Sequence, residues 1–92
     1  MELSVFQKKC KTELFNRFQI ENFKILESDK TRFAEKEVFI EASVNDLRIW
    51  IYEDGAHIKS PDINMAFEDL DYPDDDEMLR AFIDRIASVL SN

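Results

Sequence analysis

Glycine, cysteine, histidine and tryptophan occur once each in these 92 residues, and proline twice. Each scarcity excludes something. A lone glycine, Gly55, rules out glycine-rich phosphate loops, which need several glycines to bring backbone N–H groups against a phosphate. A lone cysteine, Cys10, rules out an internal disulfide, and its place on the apolar side of a helical pattern predicts a buried free thiol. A lone histidine, His57, leaves one candidate general base; no recognisable motif sets a serine or cysteine nucleophile near it, so it is expected on the sheet surface without a catalytic role. No apolar run approaches the roughly 18 residues of a membrane span, and the Met-Glu-Leu-Ser start lacks the basic region of a signal peptide, so a soluble cytoplasmic protein is expected.

Positive charge is scarce in one half only. Residues 1 to 46 carry 9 acids and 8 lysines or arginines, whereas residues 47 to 92 carry 11 and 4, and the whole chain stands at −8. Affinity for nucleic acid comes largely from lysine and arginine releasing counterions from phosphate, so this balance opposes it. A partner, if there is one, is expected to be a protein of neutral or basic surface. No cofactor or metal motif occurs. The apolar fraction, 45%, with eight phenylalanines, is enough for one core and one domain, residues 1 to 92.

The chain is organised around Val38 to Lys59, VFIEASVNDLRIWIYEDGAHIK, where apolar and polar residues alternate and Asn45-Asp46 and Asp54-Gly55 punctuate the pattern as two-residue hairpin loops. Before it, Leu3, Phe6, Cys10, Leu14 and Phe18 recur at helical spacing, with Phe15 widening the stripe. A strand over Phe23 to Glu27 and a polar turn at Asp29 to Arg32 lead into a second strand over Phe33 to Val44; a third spans Leu47 to Glu53 and a fourth Ala56 to Lys59. Ile63 to Phe67 alternates again, as a short edge strand or an extended cover, with Pro61 arguing against a central place in the sheet. Met78, Leu79, Phe82, Ile83, Ile86, Val89 and Leu90 mark a last helix over Asp75 to Leu90; Asp74 and Glu77 have the form of a capping box, and Pro73 and Met78 that of a staple. The expected fold is therefore α+β: a helix, an antiparallel meander of three to four strands with an optional short fifth, and a helix, both helices preferring one face of the sheet.

Two-residue loops fix register. With Asn45-Asp46 and Asp54-Gly55 as loops, Val44 faces Leu47, Ala42 faces Ile49, and Ile40 faces Ile51, which faces Ile58. The other face then sets Ser43 against Arg48, Glu41 against Trp50 and Lys59, and Phe39 against Tyr52 and His57. One face is aliphatic and the other aromatic and charged.

Two features carry the functional expectation. Glu68 to Glu77 holds seven acids in ten positions, among them Asp69, Asp71, Asp74, Asp75 and Asp76. Acids at a helix start interact favourably with its dipole, each by about 0.3 to 1 kcal/mol. The spacing fails as a calcium loop, because Asp74 stands where the invariant glycine belongs. The second feature is the face bearing Phe39, Trp50 and Tyr52, with Phe33 and Leu26 as further candidates and Glu41, Arg48 and Lys59 at its edge. A bare face of such rings would approach or exceed the few hundred Å² of apolar surface a monomer usually exposes, so either a helix or the 63–67 segment covers it, or it binds protein.

In shape and charge, though in no diagnostic motif, this chain resembles small bacterial immunity or inhibitor proteins and, less closely, secretion chaperones. The aromatic face and the acidic run themselves lead to the expectation of a non-catalytic module of inhibitor or immunity type that engages a protein through either or both. Self-association through the sheet face is the alternative, and a small hydrolase using His57 a lesser one.

Overall fold

The structure is a computed structural model and describes residues 2 to 30 and 35 to 91. It contains α1 (Val5–Phe18), β1 (Lys24–Lys30), β2 (Glu35–Val44), β3 (Leu47–Tyr52), β4 (Gly55–Lys59), β5 (Asn64–Glu68), a single 3-10 turn (Asp69–Asp71) and α2 (Asp75–Leu90). The strands form one antiparallel sheet in chain order, β1 to β5. The α+β expectation therefore holds, with five strands in the sheet. Asp29 and Lys30 belong to β1 and not to a turn, because β1 stays paired as far as Lys30↔Glu35. Phe33, Thr31 and Arg32 lie outside the described residues.

The β2–β3 register is the expected one, from Ile40↔Ile51 to Val44↔Leu47, with Asn45 at φ 53 in the intervening turn. The second hairpin is offset from expectation. Tyr52 faces Gly55 and not His57, Trp50 faces His57 and not Lys59, and Ile51 faces Ala56 and not Ile58. The turn is thus Glu53-Asp54, and Gly55 opens β4. Among the described residues only Gln19 and Asn45 have positive φ, so Gly55 is not there for backbone freedom. It is there for space: a Cβ on Gly55 would lie 2.6 Å from the carbonyl oxygen of Phe67 on β5. The offset is two residues, an even number, so every side chain stays on its assigned face.

Both helices pack on the aliphatic face. Phe6, Cys10 and Leu14 of α1 and Met78, Phe82, Ile83 and Ile86 of α2 close over Ile40, Ile49, Ile51, Ile58 and Phe67, all buried. The rings of Phe67 and Phe82 meet edge to face at 5.5 Å. Lys9 and Asp76 join the helices at 3.0 Å, and Glu13 and Arg17 of α1 line one groove with Leu79, Ile83 and Asp84 of α2, so the helices run side by side in the same direction. Phe15 does not widen the buried stripe; it is exposed, on a side of α1 turned from the core.

Capping differs from the expected pattern at both helices. Ser4 caps α1 in a full capping box with Gln7, which moves the helix start from Leu3 to Val5. Asp74 caps α2 by accepting from the Glu77 backbone N–H at 2.9 Å, but the Glu77 carboxylate turns to Arg80, 3.3 Å away, and does not complete a box. Pro73 is exposed while Tyr72 packs against the core, so the residue that anchors the entry to α2 is Tyr72 and not the expected Pro73.

Candidate functional site: the helix-free face of the sheet

With both helices committed to the aliphatic side, no described element lies over the other face. The segment expected as a possible cover is β5 itself, an edge strand in the plane of the sheet. Alternation places Leu26 on β1, Glu37, Phe39 and Glu41 on β2, Arg48, Trp50 and Tyr52 on β3, His57 and Lys59 on β4, and Ala66 and Glu68 on β5 along this one face.

The aromatics shelter one another and are half-buried. Phe39 and Tyr52 have ring centroids 5.9 Å apart, and Trp50 and His57 5.2 Å. Arg48 lies over the Trp50 ring, its guanidinium carbon 5.2 Å from the centroid, and reaches Glu41 at 3.8 Å. His57 hydrogen-bonds the Asn64 side chain through Nε2. These contacts restrain the χ angles of the rings.

The face is polarised along the strands. Arg48 and Lys59 are directly paired across β3 and β4 at one end. At the other end Glu37, Asp54, Glu68 and Asp69 rim a groove of about 530 Å³ that Tyr52 and His57 also line. Gly55 and Ala66 lie along it, and their small size keeps it open. Burial, and then the Glu37 carboxylate, hold the Tyr52 phenol above its ordinary pKa. Leu70 stands at the groove edge, 90% exposed.

Of the acids in the 68–77 run, Glu68 and Asp69 join the aromatic face at this groove. Asp71 closes the 3-10 turn. Asp74, Asp75 and Asp76 go instead to the start of α2: Asp74 is its cap, Asp75 and Asp76 lie in its first turn, and Asp76 is paired with Lys9. The run is thus divided between capping and the groove. Glu37, Asp54, Glu68 and His57 belong to the site but were not among the expected binding residues. Alternation alone marks Glu37 and Glu68 as facing this way; the groove at Asp54 depends on the shifted turn.

Among the described residues no group of three or more histidine, cysteine or acidic side chains is placed to hold a metal ion, and no helix is long and apolar enough to cross a membrane. No family model, curated protein or solved structure matches this chain.

Proposed function

We propose that this chain is a small non-catalytic protein-binding module that docks through the helix-free face of its sheet, with Trp50, Tyr52 and Phe39 as anchors. The observation that supports this reading is the placement of both helices on the aliphatic face, which leaves half-buried rings ordered by mutual contact and edged by charge. Tryptophan, tyrosine and arginine are the residue types that carry most binding energy at protein interfaces, and here they are adjacent. Covering the rest of the ring surface stabilises a complex by about 25 cal/mol per Å² of apolar area removed from water.

Two kinds of partner suit such a face. The acidic groove by itself favours a basic target, as for an inhibitor or immunity protein. The Arg48–Lys59 end would repel that target wherever the contact extends beyond the groove. A partner carrying both signs, in the reverse order along the face, meets no such repulsion. Trp50 is the only tryptophan, so its fluorescence reports this face alone. In dilute protein, acrylamide is expected to quench it well beyond the level of a core indole, and protection is expected to grow as partner is added. A Trp50 already fully protected in the dilute monomer would sink the proposal.

A further inference from the structure

We propose that the occupant of this face is a second copy of the chain, packed sheet to sheet about a twofold axis that crosses the strands between Trp50 and Tyr52. This rests on the docking-face reading above and names its partner.

The argument is one of charge order. Along β3 the helix-free face presents Arg48, Trp50 and Tyr52 in turn, and along β4 and β5 it runs from Lys59 through His57 and Ala66 to Glu68. Arg48 and Lys59 stand at one end, the rings lie in the middle with Glu41 beside Trp50, and Glu37, Asp54 and Glu68 stand at the other end. A twofold axis lying in the interface, perpendicular to the strands, reverses this order in the second copy. Arg48 and Lys59 of each copy then come over the end that carries Glu37, Asp54 and Glu68 in the other, and the rings of Trp50 and Tyr52 meet at the axis. An interface of this kind uses the same patch on both subunits, so the patch must be complementary to itself after reversal. A face of one sign fails that requirement, and this one meets it.

The net charge of −8 opposes association only weakly, since repulsion between charges farther apart than the Debye length, about 8 Å at physiological ionic strength, is largely screened. The charges that face each other across stacked sheets, about 10 Å apart at the backbone, decide the outcome. Five strands about 4.8 Å apart and paired over about five residues each cover roughly 400 Å² of flat sheet per copy, or about 800 Å² in all, below the range of stable specific interfaces. The dimer is therefore expected to be reversible and concentration-dependent.

Sedimentation equilibrium over protein concentrations from low micromolar to near millimolar tests the proposal, with the mass expected to rise from 10.9 kDa toward twice that value. Two charge-reversed variants sharpen it. One carries Arg48→Glu and Lys59→Glu, the other Glu37→Lys and Glu68→Lys; all four positions lie on the helix-free face, and circular dichroism checks that each variant is folded. Each alone is expected to dimerise at least tenfold more weakly than the parent chain, and an equimolar mixture to recover the parent affinity, because the reversed ends then meet. A parent chain that stays monomeric throughout overturns the proposal, and so does a mixture no stronger than its components. In the monomeric case Trp50 separates the two readings: a quencher-accessible Trp50 overturns the second copy but leaves the docking face, whereas a protected one removes both.

Discussion

The Gln7 side chain is hydrogen-bonded to the backbone of Val38 across 31 residues of sequence: its Nε2 donates to the Val38 carbonyl at 2.8 Å, and also to the Ile51 carbonyl at 3.2 Å. Its Oε1 accepts from the Ser4 N–H at 2.8 Å, so every polar atom of this fully buried amide is satisfied. The paired ladder of β2 and β3 ends at Ile40↔Ile51, and the amide takes up carbonyls where the two strands part. One side chain thus caps α1 and fastens it to the sheet.

Replacing Gln7 by Leu keeps the volume and removes all three bonds. The expected cost is about 2 to 4 kcal/mol, since buried carbonyls lose their donors. Gln7→Glu is expected to cost more at neutral pH, because a carboxylate turns an acceptor toward those same carbonyls, and to recover part of the loss as the pH falls and the acid gains a proton to donate. Urea denaturation at two pH values checks both.

Gly55→Ala is expected to destabilise by about 1 to 3 kcal/mol through overpacking. The atom in the way is the backbone oxygen of Phe67, which cannot rotate aside as a side chain would. The effect should appear in stability and in the packing of β5, while the Glu53-Asp54 turn, which places no demand on Gly55 for positive φ, keeps its form. Amide exchange along β5 against that along the β2–β3 hairpin separates the two.

Asp74→Ala removes the oxygen that accepts from the Glu77 N–H and is expected to cost about 1 kcal/mol. Glu77→Ala, which breaks only an exposed pairing with Arg80, should cost about half a kcal/mol or less. Thermal melts of the two variants order the contributions directly.

The protein should lose stability in alkali. Burial raises the Cys10 thiol far above its ordinary pKa, with a smaller contribution from Asp75, and burial followed by Glu37 raises the Tyr52 phenol. A raised folded-state pKa means that the unfolded chain gives up its proton first. The stability each group contributes is complete below its unfolded pKa and is lost as pH climbs from there through the folded value. The decline should begin near pH 8.5 with Cys10 and deepen near pH 10 with Tyr52. Native Cys10 is expected to resist alkylation until the chain unfolds, and the rate of thiol labelling against urea concentration measures this.

Alternation and helical spacing carried most of the fold in plain view: the β2–β3 register, the extent of α2, and the sorting of the sheet into two faces. The second hairpin was legible in its faces but not in its register. Asp54-Gly55 is the stronger turn dipeptide, yet the contact that places Gly55 in a strand comes from Phe67, a neighbour that local turn chemistry does not see. Ser4 and Gln7 carry the S-x-x-Q spacing of a capping box, so the cap could have been read from sequence; the reach of the same amide to Val38 and Ile51 depends on where α1 lies over the sheet. At the candidate site, Phe39, Trp50 and Tyr52 follow from alternation. The division of the acidic run does not, because it depends on which acids precede α2 and which lie beside β5.

Because each strand pairs with its sequence neighbour, the sheet can form from hairpins that close short loops, whose entropy cost is small. The longest closures fall to α1, whose Lys9 pairs with Asp76, 67 residues away, and whose Ser4 hydroxyl bonds the Glu53 carbonyl 49 residues away. Folding should therefore begin at the β2–β3 hairpin and proceed outward, with the docking of α1 among the last steps, and at rates typical of mixed α/β domains.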